Sequence, residues 1–194
     1  MPTGEDRVLT IPNALSVVRL ACVPVFLWLL FGRDDRYAAA LLLAALGATD
    51  WVDGYIARRF GQVSSLGKVL DPTADRILLL VGIGAILVDG SVPTWVAVAA
   101  LAREALVAVA ALVLAALGAT RIDVQWVGKA GTFALMVAFP LFLASEADIG
   151  WADTAEVLAW LWAVPGLALG WYAALAYVPL ARTALREGRV GSKP

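Results

Sequence analysis

Residues 37–88 read YAAALLLAALGATDWVDGYIARRFGQVSSLGKVLDPTADRILLLVGIGAILV. The stretch begins and ends in uncharged, mostly apolar runs, residues 37–49 and 77–88. As helices these runs would be about 20 and 18 Å long at 1.5 Å per residue. A helix needs about 20 residues to cross the hydrocarbon core of a bilayer. Each run therefore has to recruit part of the polar stretch between them, which draws several carboxylates to the membrane boundary. Ionisable groups are costly there and are functional candidates by default.

The polar stretch has a fixed register. Asp50 and Asp53 are spaced i,i+3, and Asp71 and Asp75 are spaced i,i+4, so each pair shares one helix face. Two antiparallel helices joined by a turn over residues 59–67 would bring the faces together. Four carboxylates in one pocket repel and raise one another's pKa unless a cation compensates them. Oxygen donors suit Mg²⁺ or Mn²⁺, and four of them with a phosphate-bearing substrate suit two ions better than one. Gly54 and Ala57 lie one turn after Asp50 and Asp53, clearing that face for a ligand; Gly67 offers the same close approach at the turn. Arg58 continues the face and can meet a phosphate bidentately. Taken singly, each aspartate reads as an ordinary loop charge. Eight specified residues in register coincide by chance at roughly 10⁻¹⁰ per start position.

Composition sets the class. The 194 residues are 61% hydrophobic and 16% charged, against about 45–50% and 25% for soluble domains. Mean hydropathy is +0.82. A single membrane domain over residues 1–194 follows, an all-α bundle of six membrane helices near 15–32, 37–58, 70–89, 93–118, 126–145 and 155–181. Residues 1–14 form a juxtamembrane segment with no convincing signal peptide, and residues 182–194 a basic tail. Fifteen basic against sixteen acidic residues leave no excess for a nucleic-acid partner. The absence of histidine excludes histidine bases and the usual zinc sites, and the sole cysteine, Cys22, excludes an intrachain disulfide.

Basic residues set the orientation. Arg7, Arg58, Arg59, Lys68, Arg76, Arg121, Lys129, Arg182, Arg186, Arg189 and Lys193 fall on one side. The other side has Arg33 and Arg36, balanced by Asp34 and Asp35, and is otherwise acidic. Both termini and the aspartate cluster are expected on the cytoplasmic side of a cell (inner or plasma) membrane.

The spacing DxxDGxxARx₈Gx₃Dx₃D resembles the signature of the CDP-alcohol phosphatidyltransferase family, and every signature position matches. The segment Ile11-Pro-Asn-Ala-Leu-Ser-Val-Val-Arg19 is similar to the family's entry into its first membrane helix. Leu70-Asp-Pro-Thr-Ala-Asp-Arg76 and Gly128-Lys-Ala-Gly-Thr132 resemble the bacterial phosphatidylglycerophosphate and cardiolipin synthase branch. The resemblance implies a CDP-diacylglycerol donor, attack by an acceptor hydroxyl on the phosphorus attached to diacylglycerol, and release of CMP. It implies Asp50, Asp53 and Asp71 as metal ligands, with Asp75 near the metals and acting as general base. It places Asp53, Gly54, Ala57, Arg58 and Gly67 around the cytidine and diphosphate, and implies a homodimer.

Arg103 and Glu104 fall inside the fourth segment; Arg103 is too deep to snorkel, so it needs a cavity or a partner such as Glu104. In the resembling family, basic residues beyond the aspartates hold the acceptor phosphate. Arg103 and Lys129 are the candidates here, with Arg121 as an outside possibility. Lys129 and Arg19 read equally well as side chains reaching for the interface. Gly170 and Ala174 offer a small-xxx-small contact, and the tryptophans read as interface belts and packing. Glycerol 3-phosphate ranks first as acceptor, giving a phosphatidylglycerophosphate synthase; phosphatidylglycerol would make a cardiolipin synthase. A divalent-cation transporter would also use membrane-edge carboxylates, but nothing beyond Glu104 marks a path onward.

Overall fold

Long uncharged runs of Leu, Ala and Val favour helix, and capping residues set where the helices stop. In the computed structural model, which describes residues 11–60, 67–116 and 126–190, the elements are α1 (Ile11–Leu27), α2 (Arg36–Phe60), α3 (Gly67–Asp89), α4 (Thr94–Ala116), α5 (Trp126–Ser145) and α6 (Ala152–Val190). No strand occurs among the described residues. Among the described residues a helix overlies each of the six expected segments. Among the described residues, three of these helices hold stretches long and apolar enough to cross a bilayer, Thr94–Val113, Trp126–Ser145 and Ala152–Ala176; α1 with its π-helical end and α2 hold shorter apolar stretches.

Two departures from expectation are local. α1 ends in a π-helical turn, Trp28–Gly32, closed by the Arg33 amide on the Trp28 carbonyl at 3.0 Å. The Arg33 guanidinium lies 5.4 Å from the Trp28 ring centroid, a cation–π contact across that turn. α6 runs past both ends of the expected 155–181. Its later residues include Ala, Leu, Arg and Glu, which propagate a helix without needing burial.

The turn from α3 to α4 follows from backbone chemistry. Gly90 takes φ +85° directly after Asp89 and donates its amide to the Ile86 carbonyl at 3.1 Å, the left-handed stop that glycine allows. At the start of α2, Asp35 Oδ1 accepts the Ala38 amide at 2.9 Å and caps the helix.

Phe26, Leu30, Ile86, Val96 and Leu143 form the fully buried centre. α5 and α6 make the most extensive helix pair. α6 turns Ala155, Ala159 and Ala163 inward at intervals of four, each with no exposure. The outer face of α4 presents Val98, Leu106, Val109 and Leu112. An apolar face of that extent belongs against lipid.

Candidate active site

The signature residues divide between two helices. Asp50, Asp53, Gly54, Ala57 and Arg58 lie on α2, and Gly67, Asp71 and Asp75 on α3. Their side chains lie outside the described residues, as does Arg121. The flanking backbone nevertheless sets their level.

At the far ends of the two helices from the signature, Arg36 donates from Nε and Nη2 to the two carboxylate oxygens of Asp89, at 3.0 and 3.2 Å. Arg36 Nη1 also meets Asp34 at 3.0 Å, and the Ser91 hydroxyl donates to Asp89. Seven residues along each helix from that pair stand Leu43 and Gly82, where a Cβ on Gly82 would sit 3.6 Å from Leu43 Cδ1. Seven residues turn a helix through almost two full turns, with a drift of about 20°. The next step of seven reaches positions 50 and 75, each about 21 Å of helix from the Arg36 and Asp89 end.

A second register links α2 to α5. A Cβ on Gly47 would stand 3.4 Å from Met136 Cε. Seven residues on from Gly47 is Gly54; seven back from Met136 is Lys129. Lys129 is exposed, in the first turns of α5. Between the two helices lies an apolar cavity of about 330 Å³, bordered by Ala44, Gly47, Ala48, Met136 and Pro140. It runs from Phe133 to Trp151, whose ring meets Tyr37 edge-on at 6.4 Å. Ala48, on the cavity wall, lies two residues before Asp50 in the chain.

Arg103 has protein partners. Its side chain is 9% exposed. Nη1 donates to Glu104 and, at 3.1 Å, to Thr132 Oγ1; Nη2 donates to the Gly128 carbonyl at 3.3 Å and Nε to the Gly170 carbonyl at 3.5 Å. The expected partner Glu104 is present, and two carbonyls and a hydroxyl join it. Arg19 is buried on α1, which packs along α3.

The sequence reading missed the spacing Gly166-Leu-Ala-Leu-Gly170. A Cβ on Gly131 would fall 2.7 Å from the Gly170 nitrogen and 2.9 Å from the Gly166 carbonyl oxygen. α5 and α6 therefore touch backbone to backbone, as small-residue motifs allow in membranes. Gly170 was singled out with Ala174, which is also buried. The stronger signal was the glycine four residues earlier.

Comparison with known proteins agrees with the signature. The family described as CDP-alcohol phosphatidyltransferase matches residues 9–177. A cardiolipin synthase (CMP-forming) of Streptomyces coelicolor is 45% identical over 93% of this chain and 86% of its own. A probable phosphatidylglycerophosphate synthase of Mycobacterium tuberculosis is 37% identical over 72% of this chain and 68% of its own. A CDP-diacylglycerol--glycerol-3-phosphate 3-phosphatidyltransferase of Bacillus subtilis is 30% identical over 69% of this chain and 76% of its own.

Proposed function

The chain belongs to the CDP-alcohol phosphatidyltransferase family, and from that premise we propose that it transfers the phosphatidyl group of CDP-diacylglycerol to phosphatidylglycerol, releasing CMP and forming cardiolipin. The observation that carries the site is the pairing of Arg36 with Asp89 and of Leu43 with Gly82, a spacing that one further step of seven residues extends to positions 50 and 75. It supports the convergence of two aspartate pairs that the spacing alone predicts. The acceptor follows from two further points. The cardiolipin synthase relative exceeds the phosphatidylglycerophosphate synthase relatives in identity and in coverage. The cavity between α2 and α5 is apolar and its lining includes Ala48, two residues before Asp50 in the chain, which suits substrates with acyl chains.

In this reading all six helices cross the membrane, both termini are cytoplasmic, the enzyme sits in the cell membrane, and it works as a homodimer. Asp50, Asp53, Asp71 and Asp75 would hold two divalent cations; carboxylate oxygen is the donor that Mg²⁺ and Mn²⁺ prefer. When bound, such ions neutralise charge on the diphosphate and on the leaving CMP. Asp53, Gly54, Ala57, Arg58 and Gly67 line the cytidine diphosphate. Asp75 accepts the proton of the acceptor hydroxyl as its oxygen attacks the phosphorus attached to diacylglycerol. The bond from that phosphorus to the oxygen of CMP breaks, and CMP carries the electron pair away. With no histidine in the chain, direct displacement is simpler than a phosphoenzyme. Lys129, level with position 54, meets the acceptor phosphate.

A second reading keeps the mechanism and exchanges the acceptor. Glycerol 3-phosphate, ranked first from sequence, is supported by the relatives named for that reaction. The deciding experiment is purified protein in detergent with CDP-diacylglycerol and each acceptor in turn. Cardiolipin from phosphatidylglycerol, with no product from glycerol 3-phosphate, is expected. Phosphatidylglycerophosphate as the only product replaces the acceptor and leaves the chemistry intact. Absence of CMP release with either acceptor and either metal removes the proposed reaction.

A further inference from the structure

We propose that Arg103 is a positioning residue that fixes the first turns of α5, and through them Lys129, at the level of the aspartate signature. The inference rests on the reading of Lys129 as the cation for the acceptor phosphate.

A guanidinium has five N–H donors in a rigid planar fork. Here all three nitrogens are engaged, and the acceptors lie on three helices: Glu104 on α4 itself, Thr132 and the Gly128 carbonyl on α5, and the Gly170 carbonyl on α6. A fork so occupied, on a side chain 9% exposed, has little left to offer a substrate phosphate. Glu104 supplies the countercharge that a cation at this depth requires.

The neighbouring glycines are shaped around the fork. A Cβ on Gly128 would lie 3.5 Å from Arg103 Nη2 and 3.3 Å from the Ala173 Cβ; one on Gly170 would lie 3.4 Å from Arg103 Nε. The Thr132 hydroxyl donates to the same Gly128 carbonyl at 3.1 Å while accepting from Arg103, so the clamp closes on one turn of α5. Lys129 is the residue next to Gly128 within that turn, exposed where Arg103 is buried. A shift of α5 by one residue would move Lys129 about 1.5 Å along the helix and turn it about 100°. The clamp prevents that shift. Lysine in place of Arg103 keeps the charge but cannot reach three helices at once.

The test is a double-mutant cycle on the full-length protein in detergent, reading KM for CDP-diacylglycerol and for whichever of phosphatidylglycerol and glycerol 3-phosphate gives product. Lys129→Ala is expected to raise the acceptor KM about tenfold or more, as loss of a charged hydrogen bond does. Arg103→Lys should raise the acceptor KM severalfold and spare the donor KM. In the Lys129→Ala background it should add almost nothing, because the residue it acts through is gone. Thr132→Val, a milder cut in the same clamp, should move the acceptor KM in the same direction if Arg103→Lys folds poorly. Multiplying effects in the double mutant would mean that Arg103 meets the acceptor itself, and would overturn the proposal. So would a lowered melting temperature with acceptor KM unchanged in both clamp variants. If Lys129→Ala alone leaves the acceptor KM unchanged, the reading of Lys129 fails, and the proposed role of Arg103 fails with it.

Discussion

Arg36 and Asp89 lie 53 residues apart in sequence and meet through two hydrogen bonds, which tie the start of α2 to the end of α3. Asp89 is the more enclosed partner, with a side chain 6% exposed against 29% for Arg36. Arg36→Ala should therefore leave a nearly buried carboxylate with little beyond Ser91, at a cost of about 1.5–3 kcal/mol. The double change Arg36→Ala, Asp89→Asn should recover part of that loss, since the uncompensated charge is gone. Thermal unfolding in detergent measures both. Equal melting temperatures for the wild type and Arg36→Ala would remove this pair as the anchor of the register.

The glycines make a paired prediction. Gly131→Ala places a methyl group against the backbone of α6, 2.7 Å from the Gly170 nitrogen, where no side chain can swing aside. Overpacking of this kind costs about 1–3 kcal/mol. Gly84 lies in α3 with nothing within 4 Å of a would-be Cβ. Gly84→Ala should be neutral, or stabilise by up to about 1 kcal/mol through helix propensity. The contrast between the two in one melting experiment checks the α5 and α6 seam independently of activity.

Asp75→Asn should abolish transfer while largely sparing metal-dependent binding of CDP-diacylglycerol. Asp71→Asn or Asp50→Asn should weaken that binding too, because a ligand charge is lost. The measurement is nucleotide-lipid binding beside turnover for the three variants. Near-normal turnover in Asp75→Asn would exclude it as the base.

Chelation gives a prediction that needs no mutation. Exhaustive EDTA treatment should stop CMP release, and Mg²⁺ or Mn²⁺ should restore it, whereas Ca²⁺, larger and less strict in geometry, should restore it poorly. Full activity after chelation would mean that the four aspartates serve something other than a divalent centre.

Much of the molecule was legible because its signals are local. Helix number and approximate limits follow from apolar runs; 126–145 was placed to the residue. The aspartate signature is readable because its spacing lies within 26 residues. Glu104 as a partner of Arg103 was readable for the same reason. The Gly128 and Gly170 carbonyls were not, since backbone atoms leave no mark in a sequence and α5 and α6 approach Arg103 only after packing. The π-helical turn at Trp28–Gly32 also lacked a signal, because Leu and Phe are as content in an α-helix. The pairing of Arg36 with Asp89 was hidden by nearer carboxylates: Asp34 and Asp35 balanced the charge on paper, but Asp35 instead caps α2 through the Ala38 amide.

The backbone contact of Gly131 with Gly166 and Gly170 also has a mechanical side. Helices separated by side chains slide as rotamers change; helices in direct backbone contact have no such slack. α5 and α6 thus form one stiff strut, and Lys129 rides on it. The opposite flank of α5 faces α2 across an apolar cavity, with the flexible thioether of Met136 on its wall. In the proposed reaction an acyl chain entering here would meet a wall that yields on the α2 side and an unyielding one behind it, and Lys129 would keep its place.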